Sequence, residues 1–195
     1  MNTAAYFDAL YQQADPFHYR SRWYEARKRA LTLACLTRPR YTNAWELGCS
    51  NGVLTAELAA RCDALLATDI NQQALTEAAG SVSDCPHVTL QRAHHPGQWP
   101  PGRFDLIVVS EVGYYLDAGE LQQMALQLDD SLAEDGLLLA CHWRHPFDEA
   151  RSTTETVHRL LRGALLDVFN YQDEDLLLQA WSRQQTSVAT WEGLR

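Results

Sequence analysis

The chain has no run approaching the roughly 18–20 uninterrupted apolar residues that a membrane helix needs, so nothing in it reads as a membrane span. Its first fifteen residues lack a basic stretch followed by an apolar one, so no secretory signal is expected. It lacks a surplus of positive charge: 25 acidic side chains face 16 basic ones over 195 residues, giving a net charge of −9. A chain so acidic is a poor phosphate track, which argues against nucleic acid as a partner. It lacks cysteine pairs: Cys35, Cys49, Cys62, Cys85 and Cys141 are odd in number, scattered and never spaced C-x-x-C. Reduced, mostly buried thiols in a cytoplasmic protein are the expectation, not disulfides or zinc. It also lacks the G-x-G-x-x-G fingerprint of dinucleotide-binding domains, as well as repeats, low-complexity tracts and flexible linkers.

What is present is a globular composition, 46% hydrophobic and 10% aromatic, in one domain's worth of chain. Two helical segments open it, Thr3–Gln13 and Ser21–Leu36, the second ended by Pro39. From Thr42 strands and helices alternate. Strands are predicted over Asn43–Leu47, Ala64–Ile70, His87–Gln91, Phe104–Ser110, Leu137–His142, Leu165–Asn170 and Asp175–Ser182. The run FDLIVVS (Phe104–Ser110) is continuously apolar, as a strand covered on both faces should be. Asn71 suits an N-cap, and Asp117/Glu120 and Ser152/Glu155 have capping-box spacing. Gly136 is predicted to close the helix that starts near Asp117. The pattern is α/β, a Rossmann-like, mostly parallel, doubly wound seven-stranded sheet, and its last two strands form an antiparallel hairpin. Residues 1–40 read as a helical lid and residues 41–195 as the body, in one structural domain.

The most informative motif is Glu46-Leu47-Gly48-Cys49-Ser50-Asn51-Gly52, where the first strand of the body turns into its helix. Gly48 and Gly52 permit a turn without a Cβ, and the helix start offers free N–H groups to an anion. Ser50 stands where a dinucleotide fold would place its middle glycine, so a ligand carboxylate fits better than a pyrophosphate. Asp69, 17 residues beyond Gly52 at a strand end, is placed to accept both hydroxyls of a ribose.

Glu46–Gly52, Ala67–Ile70 and Phe104–Leu116 (FDLIVVSEVGYYL) together resemble the signature elements of class I S-adenosylmethionine-dependent methyltransferases. More narrowly, DPFHYRSRWYEARKRALTLACL (Asp15–Leu36), SEVGYYL (Ser110–Leu116), ETVHRLL (Glu155–Leu161) and DEDLLLQAW (Asp173–Trp181) resemble the nodulation protein S family. That family methylates the free amine of an N-deacetylated chitooligosaccharide. The resemblance spans nearly the whole chain. It implies S-adenosyl-L-methionine as cofactor and S-adenosyl-L-homocysteine as product. It further implies that Glu46, Gly48, Cys49, Ser50 and Gly52 line the methionine end, Asp69 the ribose and Ile70 the adenine, with Ser110 and Glu111 beside the transferable methyl. Where the family carries an Asp that accepts from the adenine amine, this chain has His94, with His95 next to it. A neutral imidazole accepts one hydrogen bond and a protonated one none, so adenine recognition is expected to weaken or to pass to a backbone carbonyl.

For the acceptor, Glu111 is the first candidate for orienting an amine and taking its proton. Tyr114 and Tyr115 continue its loop, and Tyr115 is placed among the catalytic residues. His142, in HWRHP after the fifth strand, is the other candidate base, since ligands of open α/β sheets sit at the carboxyl ends of the strands. His142 and His145 have no further residues spaced to complete a metal site, so no metal is expected. Residues 20–40 hold seven of the sixteen cations, with Glu25 as the sole acid. Arg27, Lys28 and Arg29 read as a solvated helix face, whereas Arg22 and Tyr24 are expected to reach the cofactor or acceptor as the lid closes. The reading is a small-molecule methyltransferase, most simply an N-methyltransferase for an amino sugar. O-methylation of a sugar or phenol, and a non-catalytic cofactor-binding regulator, are the alternatives. An NAD-dependent oxidoreductase fails on glycine spacing and on the terminal hairpin.

Overall fold

A computed structural model describes residues 3–13, 15–184 and 187–195. Two helices, α1 (Thr3–Leu10) and α2 (Trp23–Ala34), precede an alternating series: β1 (Tyr41–Leu47), α3 (Val53–Ala59), β2 (Cys62–Asp69), α4 (Gln72–Ser81), β3 (Val88–Arg92) and β4 (Phe104–Ser110). A 3-10 turn at Gly113–Tyr115 leads to α5 (Ala118–Ser131), β5 (Leu132–Trp143), α6 (Thr154–Arg162), β6 (Leu166–Gln172), β7 (Leu176–Ser182) and α7 (Val188–Trp191). The seven strands form one sheet in the order β3-β2-β1-β4-β5-β7-β6. Neighbours from β3 to β5 pair in parallel, while β7 runs antiparallel to both β5 and β6. The predicted class is therefore the observed one, with the reversed strand inserted between its neighbours. No described helix is long and apolar enough to cross a membrane.

The central strands explain their own composition. On β4, Ile107 and Val109 join Trp45, Leu47, Leu121, Met124, Leu128 and Leu138 in one core. Leu106 and Val108 face the other way, into a core with Cys35, Leu36, Leu58, Leu65 and Leu139. Burial on both faces is why this strand shows no polar alternation. The Asn71 cap and the Asp117/Glu120 capping box form as expected: the Asn71 side chain accepts from the Ala74 N–H, and Asp117 and Glu120 cap each other reciprocally.

Two local expectations need correction. Gly136 does not cap α5; it lies within β5, where the pairing with β4 slips between Leu132 and Leu137. A Cβ on Gly136 would sit 2.8 Å from a Leu132 methyl and 3.0 Å from the Phe104 carbonyl, so the glycine serves close strand approach. The cap of α6 is Thr153, whose hydroxyl accepts from the Thr156 N–H, while the Ser152 hydroxyl donates to the Leu116 carbonyl. The tertiary bond of Ser152 takes its hydroxyl away from the helix start.

Candidate active site

The carboxyl ends of β1, β2, β4 and β5 open beneath α1 and α2 into a cleft of about 660 Å³. One end of it is built by the loop after β1. Gly48 and Gly52 adopt left-handed φ values of 72° and 75°. A Cβ on Gly48 would lie 2.2 Å from a Val112 methyl, and one on Gly52 would lie 2.8 Å from the Ala78 backbone. Ser50 is also left-handed, at φ 51°. Its amide donates to Asp69 Oδ2 at 2.9 Å, and its hydroxyl pairs with that of Tyr11. The bonds that hold this strained serine are supplied by the site itself. Cys49 sends its side chain into a small cluster with Ala67 and Leu75 and lends the loop its backbone.

Asp69, buried at the end of β2, also takes the Asn71 amide on Oδ1 at 2.9 Å. Burial pushes its carboxyl up, and the backbone donors partly offset this. Each oxygen keeps a lone pair beyond its one N–H bond, and the carboxylate lines the cleft. Ile70, Ala93, His94 and His95 border it on the same side. The exposed His94 is held through its amide to Gln98 Oε1, at 2.8 Å. His95 is turned largely into the sheet: its Nε2 lies 2.9 Å from the Thr68 hydroxyl, and its ring packs edge-on to Trp45 and Trp99. Burial holds this imidazole down to about 4, so it is neutral at physiological pH.

Glu46 faces a recess beside the main cleft, with Gly48, Ser50, Asn51 and Lys28. It is 1% exposed, and Oε2 has no hydrogen-bond partner. Burial pushes the carboxyl up to about 8. A buried carboxyl with one orphaned oxygen next to a glycine cradle suits a ligand that brings a cationic amine.

The opening segment is laced to this loop. Asn71 Nδ2 donates to Asp8 at 2.8 Å and Asn51 Nδ2 to Asp15 at 3.0 Å. The expected solvated face of α2 is not found. Lys28, the chain's single lysine, is buried, with Nζ 2.9 Å from both Glu25 and Glu111. Arg27 pairs with Asp173 and Arg29 with Glu57. The basic segment is thus bound to the acidic body by ion pairs, and of its cations just Lys28 and Arg22 line the cleft.

At the other end, Ser110 closes β4 on the cleft wall, and Glu111 follows in a left-handed conformation at φ 59°. Its amide continues the ladder by donating to the Cys141 carbonyl. Glu111 Oε1 accepts from Lys28, while Oε2 accepts from the Tyr114 hydroxyl and, at 3.1 Å, from the Trp143 amide. Three groups therefore hold this carboxyl beside the cleft. Tyr115 does project there, its ring against Tyr6, Phe7 and Phe147. Arg22 and Tyr24 line the mouth, Tyr24 edge-on to Trp143.

His142 departs furthest from expectation. It is fully buried, with Nε2 accepting from the Gly113 amide at 3.1 Å and Nδ1 3.0 Å from His158. Its position at the end of β5 was readable; its rotation away from the cleft, under the 3-10 turn, was not. Among the described residues no cluster of His, Cys, Asp and Glu could hold a metal ion. Tyr11, Tyr19, Glu25, Glu149 and Asp175, which also line the cleft, went unnoticed in sequence. A lone lysine in an arginine-using chain was the one signal pointing to Lys28.

A parallel sheet with a reversed penultimate strand, a glycine turn after β1 and a buried acid ending β2 define a class I S-adenosylmethionine-dependent methyltransferase. The model of nodulation protein S (NodS) matches residues 7–162, and the chain belongs to that family. Nodulation protein S of Sinorhizobium fredii is 27% identical over 188 residues, spanning 88% of this chain and 85% of that protein. The N-methyltransferase NodS from Bradyrhizobium japonicum WM9, crystallised with S-adenosyl-L-homocysteine, superposes with a TM-score of 0.85 at 26% identity, over 93% of this chain and 98% of that one. A Pseudomonas syringae protein assigned as a methyltransferase is 46% identical over 83% of this chain and all of its own, with a TM-score of 0.74.

Proposed function

We propose that the protein transfers a methyl group from S-adenosyl-L-methionine to the amine of an amino sugar or deacetylated oligosaccharide. The observation that carries the amine is the charge of the cleft: Glu25, Asp69, Glu111, Glu120, Glu149 and Asp175 line it, against two cations, Arg22 and Lys28. Aromatic walls, among them Tyr19, Tyr24, Tyr114, Tyr115 and Trp143, add ring faces that attract an ammonium group. The lone pair of His142 Nε2 is taken by the Gly113 amide, whereas Glu111 Oε1, which holds one bond from Lys28, keeps a lone pair that can take a proton. An amine drawn in as ammonium must pass one proton to such a group or to solvent before its nitrogen can attack.

When bound, the cofactor supplies a methyl group on a sulfonium sulfur for in-line displacement. Asp69 would hold the ribose hydroxyls, Glu46 the amino group of the methionine moiety, and Ile70 and His94 the adenine. Glu111, fixed by Lys28 and the Trp143 amide, stabilises the positive charge that develops on the attacking nitrogen. Residues 1–40 serve as a lid over the body formed by residues 41–195, an arrangement supported by the Asp8–Asn71 and Asp15–Asn51 bonds. Five free thiols support a reducing, cytoplasmic location.

The test is a screen of glucosamine oligomers, simple amines and phenols, reading S-adenosyl-L-homocysteine release. Turnover on amino sugars is expected. Turnover confined to phenols or neutral sugars refutes the amine reading, and tight S-adenosyl-L-homocysteine binding without any turnover refutes catalysis.

A further inference from the structure

The donor in the His142 contact with Gly113 is fixed. A backbone amide can only donate, so His142 Nε2, 3.1 Å away, must carry a lone pair. His142 is then a neutral ring with its proton on Nδ1, which it donates to His158 Nε2 at 3.0 Å. His158 in turn must carry its proton on Nδ1, 2.9 Å from Gln179 Oε1. The Gln179 amide then donates to Asn170 Oδ1, at 3.0 Å, on the exposed strand β6. Every bond in this series points the same way, from the turn after β4 to the sheet edge. Both imidazoles are buried, at 0% and 2% exposure, so water cannot substitute for a missing partner.

The turn it serves carries the acceptor end of the cleft. Gly113 packs on the chain so closely that an added Cβ would sit 3.3 Å from His142 Nε2 and 2.4 Å from a Val157 methyl. Tyr114 rests edge-on against the His142 ring and gives its hydroxyl to Glu111, and Tyr115 follows into the cleft. If either ring took the other tautomer or a second proton, two N–H groups would face each other and the turn would shift.

We propose that His142, His158 and Gln179 form a hydrogen-bond chain of fixed polarity that holds the Glu111–Tyr115 turn in register with the reacting amine. His158 is a positioning residue of the transfer reaction: it touches neither substrate nor cofactor and acts through His142. The role rests on the methyl-transfer reading, but it reaches the acceptor end alone; the Gly48–Gly52 loop and Asp69 have no part in it.

The test compares His158→Leu with His158→Gln, using a glucosamine tetramer as acceptor. A glutamine amide can accept with its oxygen and donate with its nitrogen, reproducing the polarity, whereas leucine ends the chain. His158→Leu is expected to lower kcat/KM on the order of 100-fold, the scale of an ångström-sized misplacement. Its affinity for S-adenosyl-L-homocysteine should stay at the wild-type level, and His158→Gln should recover most of the loss. Equal damage in both variants, wild-type kinetics in His158→Leu, or parallel loss of S-adenosyl-L-homocysteine affinity would overturn the proposal. The ring nitrogens of the wild-type protein give a second reading independent of variant folding and of turnover. Nitrogen-15 spectra at pH 7 should show His142 and His158 both neutral and protonated on Nδ1; an Nε2–H tautomer or an imidazolium at either refutes the chain. Were the wild type to methylate no amine, the acceptor assignment would fall, and the tautomers would still decide whether the chain exists.

Discussion

Glu46→Gln separates the energetic cost of the cofactor site from its use. The Glu46 carboxyl is pushed from an ordinary 4.5 to about 8 by burial. A carboxyl whose folded pKa is raised binds its proton more tightly folded than unfolded. Its contribution to stability is complete below pH 4.5 and is lost as pH rises to 8. At about 1.36 kcal/mol per unit, the full loss is about 5 kcal/mol, of which about 2 falls between pH 6 and 8. Against net stabilities of about 5–15 kcal/mol, that is large enough to read in the pH profile of the free protein.

Glutamine keeps the shape and removes the ionisation. In urea titrations without ligand, Glu46→Gln should therefore gain on the wild type by about 2 kcal/mol between pH 6 and 8. Ligand binding should reverse the ranking. An ammonium group beside Glu46 restores the ionised carboxylate, so wild-type affinity for S-adenosyl-L-homocysteine should rise with pH over that window, with a proton released on binding. The variant should bind on the order of 10- to 100-fold more weakly, the worth of one charge-assisted hydrogen bond. Parallel stability profiles for the two proteins, or undiminished affinity in the variant, would refute the reasoning.

Three further outcomes are expected. Lys28→Met leaves Glu25 and Glu111 without their shared cation and should cost about 3–5 kcal/mol in urea unfolding near pH 8; a loss under 1 kcal/mol would mean the cluster is solvated. Asp69→Asn turns an NH₂ toward one of the two backbone amides it now accepts from, and calorimetry should show S-adenosyl-L-homocysteine affinity falling at least about tenfold. Affinity within a factor of two would remove Asp69 from the cofactor site. Glu111→Gln should lower kcat on the amine about tenfold or more with cofactor affinity unchanged; equal losses in both would move Glu111 into cofactor binding.

What the sequence made legible was whatever depends on one segment at a time. The strand Phe104–Ser110, the Asn71 cap and the left-handed glycines of the Gly48–Gly52 loop follow from local composition, and the structure places them as read. The acceptor end depends on how segments meet, and there local reasoning gave the opposite sign. Arg27, Lys28 and Arg29 form a cationic run that on an isolated helix would face water. Apart from the local Glu25, its partners Asp173, Glu111 and Glu57 lie 146, 83 and 28 positions away in sequence, so no window of the chain displays those pairings. The same holds for His142: a histidine ending a central strand reads as a base until α6 brings His158 against it. Both misreadings have one physical origin. In each, partners distant in sequence occupy the groups: carboxylates of the body pair with the α2 cations, and the Gly113 amide and His158 take up both nitrogens of His142. Among the described residues, Asp69, Glu149 and Asp175, which make no ion pair with those cations, line the cleft.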